Sequence, residues 1–184
     1  MKYRMIFFLV CCVLWVGCDN SKKETRKLLK GLMYQQIDFD WPKEYVFYDT
    51  VIAGKDFTID TPLKIVIYKD STSCSSCMNT YLSMGAELME YAKNNHIFNT
   101  DSVSFVVVMS RSRAEMKECF QGKAIPQVVV INDLNKEFKN RNGLNKYTAF
   151  LLNKEDKVVA VGDMMTNLRV RDLYIDQINS LLAN

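Results

Sequence analysis

The sequence predicts an α/β protein whose central mixed sheet carries helices on both faces. Three observations support this prediction. From residue 63 onward, apolar segments of strand length alternate with helical segments, as in layered sheet-and-helix domains. The last two predicted strands flank the polar turn Lys154-Glu-Asp-Lys, which favours an antiparallel hairpin. A helical segment, Leu168–Leu182, closes the chain and gathers apolar side chains on one face.

A continuous apolar run lies directly before a long helical segment. Leu63–Lys69 predicts a buried strand, and the pattern at 74–95 predicts a helix that starts just after it. Val103–Met109 predicts a second buried strand. The remaining predicted elements are a helix at 112–120, a strand at 127–131, a short helical segment at 134–139, and strands at 147–153 and 157–162.

The region before residue 63 is less regular. Weak alternation at 44–59 predicts two short strands around Gly54. Residues 26–36 have helical periodicity, so this segment is either a short amphipathic helix or part of a tether.

The N-terminus has the pattern of an export signal. A short basic start precedes an apolar core at 5–16, which is too short to span a bilayer as an ordinary helix. Gly17 and Cys18, followed by a polar stretch, resemble the lipobox of bacterial lipoproteins. That resemblance implies that Cys18 becomes the diacylated first residue of the mature protein. The alternative is a plain secretory signal that is cleaved nearby.

These features divide the chain into a signal peptide at 1–17, a tether with a short helix at 18–43, and a domain at 44–184. We therefore expect a membrane-anchored lipoprotein of a bacterial cell envelope, with its soluble domain outside the cytoplasm. The net charge of +3 comes without a basic stripe or arm, so we expect no nucleic-acid partner. The dispersed glycines and the lack of a Cys/His zinc pattern predict no cofactor and no metal site.

The cysteines point to redox chemistry. Cys74-Ser-Ser-Cys77 lies where the first buried strand meets the long helix. The first turn of a helix has unpaired N–H groups and the positive end of the dipole, which stabilise a thiolate. Cys74 is thus the predicted nucleophile and Cys77 the resolving thiol. Asp70 opposes ionisation, so the residues leave the direction of the Cys74 pKa open. Cys119 is predicted to be a small buried residue.

This pattern resembles the thioredoxin-like superfamily, and in particular its exported TlpA and peroxiredoxin-like branch. The resemblance rests on Lys64-Ile-Val-Ile-Tyr ahead of the Cys pair, on Ile125-Pro-Gln-Val-Val-Val-Ile-Asn-Asp, and on residues 148–162. The last segment is similar to the family pattern P-T-x-F-L-I-D-x-x-G-x-I-x-x-x-G. The resemblance covers about residues 44–184 and implies a thioredoxin-like fold with an N-terminal strand extension and an inserted strand-helix unit.

The chain departs from the family pattern beside the Cys pair. Family members have a cis-proline just before the Thr-x-Phe strand, and its backbone docks the substrate. Tyr147 occupies that position here and is followed by Thr148, so these two residues form the predicted substrate-facing loop. A non-proline cis bond costs ~2.5–4 kcal/mol, so we expect a trans bond before Tyr147. Ser73 also replaces the tryptophan that the family carries before the first Cys.

The residues and the resemblance together predict extracytoplasmic thiol–disulfide exchange through Cys74 and Cys77, with protein thiols or disulfides of the cell envelope as partners. The alternative is a redox-inactive lipoprotein that acts as a binding module, which Tyr147 favours. A thiol peroxidase is a third hypothesis. Ser71 fits the hydroxyl of the peroxidase motif, but Ile67 stands where that motif has proline.

Overall fold

A computed structural model describes residues 27, 29–39, 43–47, 50–54, 59–70, 75–112, 114–115, 128–144 and 147–183. Within these ranges the strands are β1 (Lys43–Phe47), β2 (Thr50–Gly54), β3 (Leu63–Lys69), β4 (Val103–Met109), β5 (Val128–Asn132), β6 (Tyr147–Leu152) and β7 (Val158–Val161). The helices are α1 (Ser75–Asn94), α2 (Glu137–Arg141) and α3 (Leu168–Leu182). A 3-10 turn, Thr100–Ser102, leads into β4, and residues 29–32 are helical.

The strands form one mixed sheet in the order β2-β1-β5-β4-β3-β6-β7. Strands β3, β4 and β5 run parallel to one another, and the other neighbouring strands pair antiparallel. The carboxyl ends of the three parallel strands therefore meet at one end of the sheet. Because β6 is antiparallel to β3, the start of β6 lies at that same end.

Two hydrophobic clusters cover the two faces of the sheet. The first contains Leu63, Ile65 and Ile67 of β3 together with buried residues of α1 and α3. The second contains Val66 and Tyr68 of β3, Phe138 of α2, and Leu32 and Ile37 from the N-terminal segment. The predicted mixed sheet with helices on both faces is confirmed. None of the described helices combines the length and apolar character needed to cross a membrane.

Most predicted elements agree with the structure to within a residue or two. The two short strands predicted around Gly54 are an exception, because β1 pairs with β2 in the register Phe47 opposite Thr50. Gly54 therefore ends β2 instead of joining the two strands. Aspartate favours turns as glycine does, so the sequence contained Asp49 as a second candidate for the turn. Most of the predicted helix at 112–120 lies outside the described residues.

Residues 29–39, here called the N-terminal segment, belong to the folded part of the chain. Leu32 and Ile37 are only 3% and 2% exposed. The backbone of this segment also pairs with the outer edge of β7, where Tyr34 N donates to Val158 O and Val158 N donates to Gln35 O, both at 2.9 Å. The boundary at residue 44 stays a prediction for the domain, but buried core residues precede it.

Helix α1 lies close against β4 at Gly85. A Cβ added there would fall 2.7 Å from Cδ1 and 2.9 Å from Cζ of Phe105, which is fully buried. Only glycine therefore fits at position 85, because the distance between α1 and β4 leaves no room for a side chain. This contact fixes how near the helix that carries Cys77 can approach the strands.

Candidate functional site

The Cys-x-x-Cys motif lies at the junction of β3 and α1. β3 ends at Lys69 and α1 begins at Ser75, so the motif falls at the carboxyl end of a central parallel strand. The backbone of Cys77 is in the first turn of α1. Cys74 lies outside the described residues, as do Cys18 and Cys119. The carboxyl ends of parallel strands are where α/β proteins usually place their sites.

The start of β6 lies at the same end of the sheet as the motif. Tyr147 pairs with Lys69, and Thr148 pairs with Tyr68. The structure thus brings the backbone of the predicted substrate-facing loop next to the end of the strand that leads to Cys74. The Thr148 side chain is 4% exposed, so it is largely covered by neighbouring atoms. The peptide bond before Tyr147 lies outside the described residues.

Asp70, which directly follows β3, is a buried carboxylate with two cationic partners. It is 4% exposed, and its two oxygens lie 2.9 Å from Lys136 Nζ and 2.9 Å from Lys139 Nζ. A buried charge is costly unless it is paired, and these two lysines supply the pairing. Asp70 therefore does not act as the isolated negative charge that the sequence suggested. The unit of Asp70 and the two lysines carries a formal charge of +1.

Lys69 points to the opposite face of the sheet from Asp70. Its Nζ lies 4.2 Å from the centroid of the Tyr81 ring on α1, a cation–π contact. Asp70 instead binds the two lysines that flank Phe138, which packs on the other face. The two charges at the end of β3 are thus separated, with the cation on the side of the helix that bears the motif.

Further polar side chains are buried at the ends of β4 and β5, and the sequence prediction missed them. They are Ser110, Arg111, Asn132 and Asp133. Asn132 Oδ1 accepts a hydrogen bond from Arg111 N at 3.1 Å, while Asp133 accepts from the backbone N–H groups of Phe138 and Lys139 at 3.1 and 3.2 Å. Burial raises the pKa of Asp133 above its usual range. The sequence signal that could have identified these residues is the presence of polar side chains at or just after the end of each buried parallel strand.

Two buried tyrosines differ in how their hydroxyl groups are satisfied. Tyr174 OH donates to Gly162 O at 3.0 Å, whereas Tyr68 OH makes no hydrogen bond to the described residues. Burial raises the pKa of both phenols, and Asp70 and Asp133 add to the effect at Tyr68. A buried hydroxyl without a partner costs about 1–3 kcal/mol.

We predict opposite effects on stability when these two tyrosines are changed to phenylalanine. Tyr68→Phe removes an unpaired hydroxyl and should raise the free energy of unfolding by about 1 kcal/mol. Tyr174→Phe leaves the Gly162 carbonyl without its hydrogen bond and should lower the free energy of unfolding by about 1 kcal/mol. Urea denaturation at neutral pH measures both. Above a pH of about 10 the unfolded chain ionises these phenols first, so each variant should lose less stability than the wild type. A loss of stability in Tyr68→Phe at neutral pH would contradict the assignment.

Among the described residues, no three His, Cys, Asp or Glu side chains come together as metal ligands. The buried charged groups at this end of the sheet instead pair with one another or with backbone atoms. The buried hydroxyl groups of Tyr68 and Thr148 make no hydrogen bond to the described residues.

No protein-family model and no curated protein matches the chain. Among solved structures, it is similar to AhpC from Enterococcus faecalis, with a TM-score of 0.56 and 16% identity over 83% of this chain and 96% of that chain. It is also similar to a domain of a possible thiol-disulfide isomerase from Cytophaga hutchinsonii, with a TM-score of 0.51 and 16% identity over 83% and 97% of the two chains. The mitochondrial 2-Cys peroxiredoxin from Plasmodium falciparum matches with a TM-score of 0.51 and 15% identity over 83% and 97%. These likenesses, together with the strand order, establish that the chain has a thioredoxin-like fold.

Proposed function

We propose that this protein carries out thiol–disulfide exchange through Cys74 and Cys77, outside the cytoplasm and anchored to the membrane by a lipid on Cys18. One observation carries the redox part of the proposal. The Cys-x-x-Cys sequence falls between a central strand and the first turn of α1, where helix N–H groups stabilise a thiolate. The anchoring and location rest on the N-terminal sequence pattern.

The exchange proceeds in two steps with balanced electrons. The Cys74 thiolate attacks one sulfur of a partner disulfide, forms a mixed disulfide and releases the first partner thiolate, which takes up a proton. The Cys77 thiolate then attacks the Cys74 sulfur and releases the second partner thiolate. Two electrons have passed to the partner, and Cys74 and Cys77 are joined as a disulfide. The reverse sequence oxidises a partner dithiol.

The names of the structural neighbours support thiol redox chemistry in general terms. They include a possible thiol-disulfide isomerase and a 2-Cys peroxiredoxin. A second candidate, a binding lipoprotein with inert thiols, is favoured by Tyr147. This residue starts β6 opposite Lys69, at the position where the resembling family has its cis-proline.

A redox titration separates the two candidates. The mature protein is equilibrated in glutathione buffers, and its free thiols are counted by mass after alkylation. We expect a reversible two-electron couple between about −120 and −270 mV, the span of known exchange proteins. A pair that stays oxidised well below about −300 mV behaves as a structural disulfide, and that result would rule out the exchange role.

A further inference from the structure

A cavity of about 360 Å³ lies between α1 and α3. We infer that it binds a small organic carboxylate, a monoanion whose apolar body lies in the cavity and whose carboxylate pairs with Arg171. The volume is at the lower end of the range found for small-molecule sites. The cavity begins at Met84, about two turns and roughly 10 Å along α1 from the backbone of Cys77. The inference is separate from the proposed exchange, and its test requires no redox chemistry.

The lining of this cavity is mainly apolar. Helix α1 contributes Met84, Leu88 and Tyr91, which repeat with the spacing of one helix face. The segment between β7 and α3 contributes Met164 and Met165. Leu88 and Met164 are buried and form the floor, whereas Tyr91 is exposed and stands at the rim. Because methionine side chains are unbranched and flexible, this lining can adapt to an aromatic or alkyl group.

Arg171 on α3 provides the charge that selects an anion. It lines the cavity and is half-buried. Its backbone N–H donates to Asn167 O at 3.0 Å, but its guanidinium group makes no hydrogen bond and no ion pair with the described residues. A partly covered cation loses hydration, which costs free energy unless an anion takes the place of the water. The planar guanidinium matches a carboxylate, with which it can form two parallel hydrogen bonds.

Glu87 limits the negative charge that the ligand can carry. It lines the same cavity from α1 and is exposed, and it does not pair with Arg171. A second negative charge on the ligand, as in a phosphate monoester, would be repelled by the Glu87 carboxylate. Asp163 adds to this repulsion, although its oxygens already accept hydrogen bonds from Met165 N at 2.9 Å and Thr166 Oγ1 at 2.7 Å. The charges around the cavity thus favour a single carboxylate over a dianion.

The test follows the methionine methyl groups of the mature protein by NMR, after labelling with carbon-13. The protein is titrated with hydrocinnamate, an aromatic carboxylate of suitable size. It is titrated separately with hydrocinnamyl alcohol, which has the same apolar body and no charge. The variants Met84→Leu and Met165→Leu identify the two methyl signals from the cavity wall.

Three charge variants give the matched comparison. Arg171→Gln removes the cation of the cavity, and Glu87→Gln removes the carboxylate on the opposite wall. Arg169→Gln makes the same change as Arg171→Gln at an exposed arginine of α3 that does not line the cavity. Unchanged signals from the other methionines show that a variant is folded.

We expect hydrocinnamate to shift the Met84 and Met165 signals with a Kd on the order of 1 mM, which its size allows. The alcohol should bind the wild type, and hydrocinnamate should bind Arg171→Gln, about five- to tenfold more weakly, because the charged hydrogen bonds are lost. Glu87→Gln should bind hydrocinnamate about twofold more tightly, and Arg169→Gln should bind it like the wild type.

Three results would overturn the inference. The first is equal binding of the acid and the alcohol by the wild type, which needs no variant. The second is equal weakening by Arg169→Gln and Arg171→Gln, because the general charge of α3 would then be the cause. The third is the absence of a shift at Met84 and Met165 when hydrocinnamate reaches about ten times the expected Kd.

Discussion

Cys74→Ala is expected to reduce disulfide exchange to the background of the assay, whereas Cys77→Ala should trap the protein on its partners. The reason is that the proposed mechanism assigns different roles to the two thiols. In that mechanism Cys74 forms the mixed disulfide with the partner, and Cys77 resolves it. Reduction of a synthetic peptide disulfide measures the first effect. Non-reducing electrophoresis of cell-envelope extracts, with and without reductant, measures the second.

Cys119→Ala is the matched control, because it removes one thiol outside the motif. This variant should keep wild-type exchange and should trap no partner. Substantial exchange by Cys74→Ala, or equal trapping by the Cys74→Ala and Cys77→Ala variants, would show that the roles assigned to the two cysteines are wrong. If neither variant traps a partner in cells, the binding-module alternative becomes the better account.

Gly85→Val is expected to lower the free energy of unfolding by about 3 kcal/mol. A single Cβ at this position already falls within 2.9 Å of the Phe105 ring, and valine adds two more carbon atoms. Phe105 is fully buried, so its ring cannot turn out into solvent without disturbing the core around it. Helix α1 must then move away from β4, and the backbone of Cys77 in its first turn moves with it. Urea denaturation gives the stability change.

Gly31→Val is the control for the Gly85 substitution. Gly31 is also helical, but no atom lies within 4 Å of the position where its Cβ would stand. Its effect on stability should stay within about 0.5 kcal/mol, as for most surface substitutions. Equal effects at the two glycines would mean that backbone preference, and not the closeness of α1 to β4, decides the outcome.

Local pattern was sufficient to predict the central strands. β3 and β4 have the predicted bounds because each is a continuous apolar run that is buried on both faces of the sheet. Helix α3 was also predicted to the residue, since its apolar positions repeat with helical spacing and Asn167 caps its start. In each of these elements one hydrophobic pattern is enough to identify the secondary structure, and the tertiary structure agrees with that pattern.

The charge environment of the site could not be predicted in the same way. Asp70 is close in sequence to Cys74, which suggested an unfavourable negative charge. Its partners Lys136 and Lys139 come from a distant part of the chain, and only the packing of α2 on the sheet brings them to the carboxylate. Lys69 is a similar case, because the sequence identifies it only as the last residue of a strand. Its contact with the Tyr81 ring shows that its side chain lies beside α1.

The N-terminal segment was ambiguous for a similar reason. Its helical periodicity fits an exposed amphipathic helix as well as a packed one. The buried positions of Leu32 and Ile37, and the backbone bonds to Val158, depend on β7 and α2, which are distant in sequence. A local pattern can show that one face is apolar, but it does not identify the surface that covers that face.

The pairing of the N-terminal segment with β7 also bears on self-association. An uncovered outer strand offers a row of free N–H and C=O groups onto which another molecule can add a strand. Here Tyr34 and Gln35 occupy those groups at Val158. Removal of the residues before 40 would therefore expose the backbone groups of Val158. We expect the exposed edge of β7 to pair with a strand of another molecule and to cause aggregation. The N-terminal segment thus protects the protein against polymerisation at this edge.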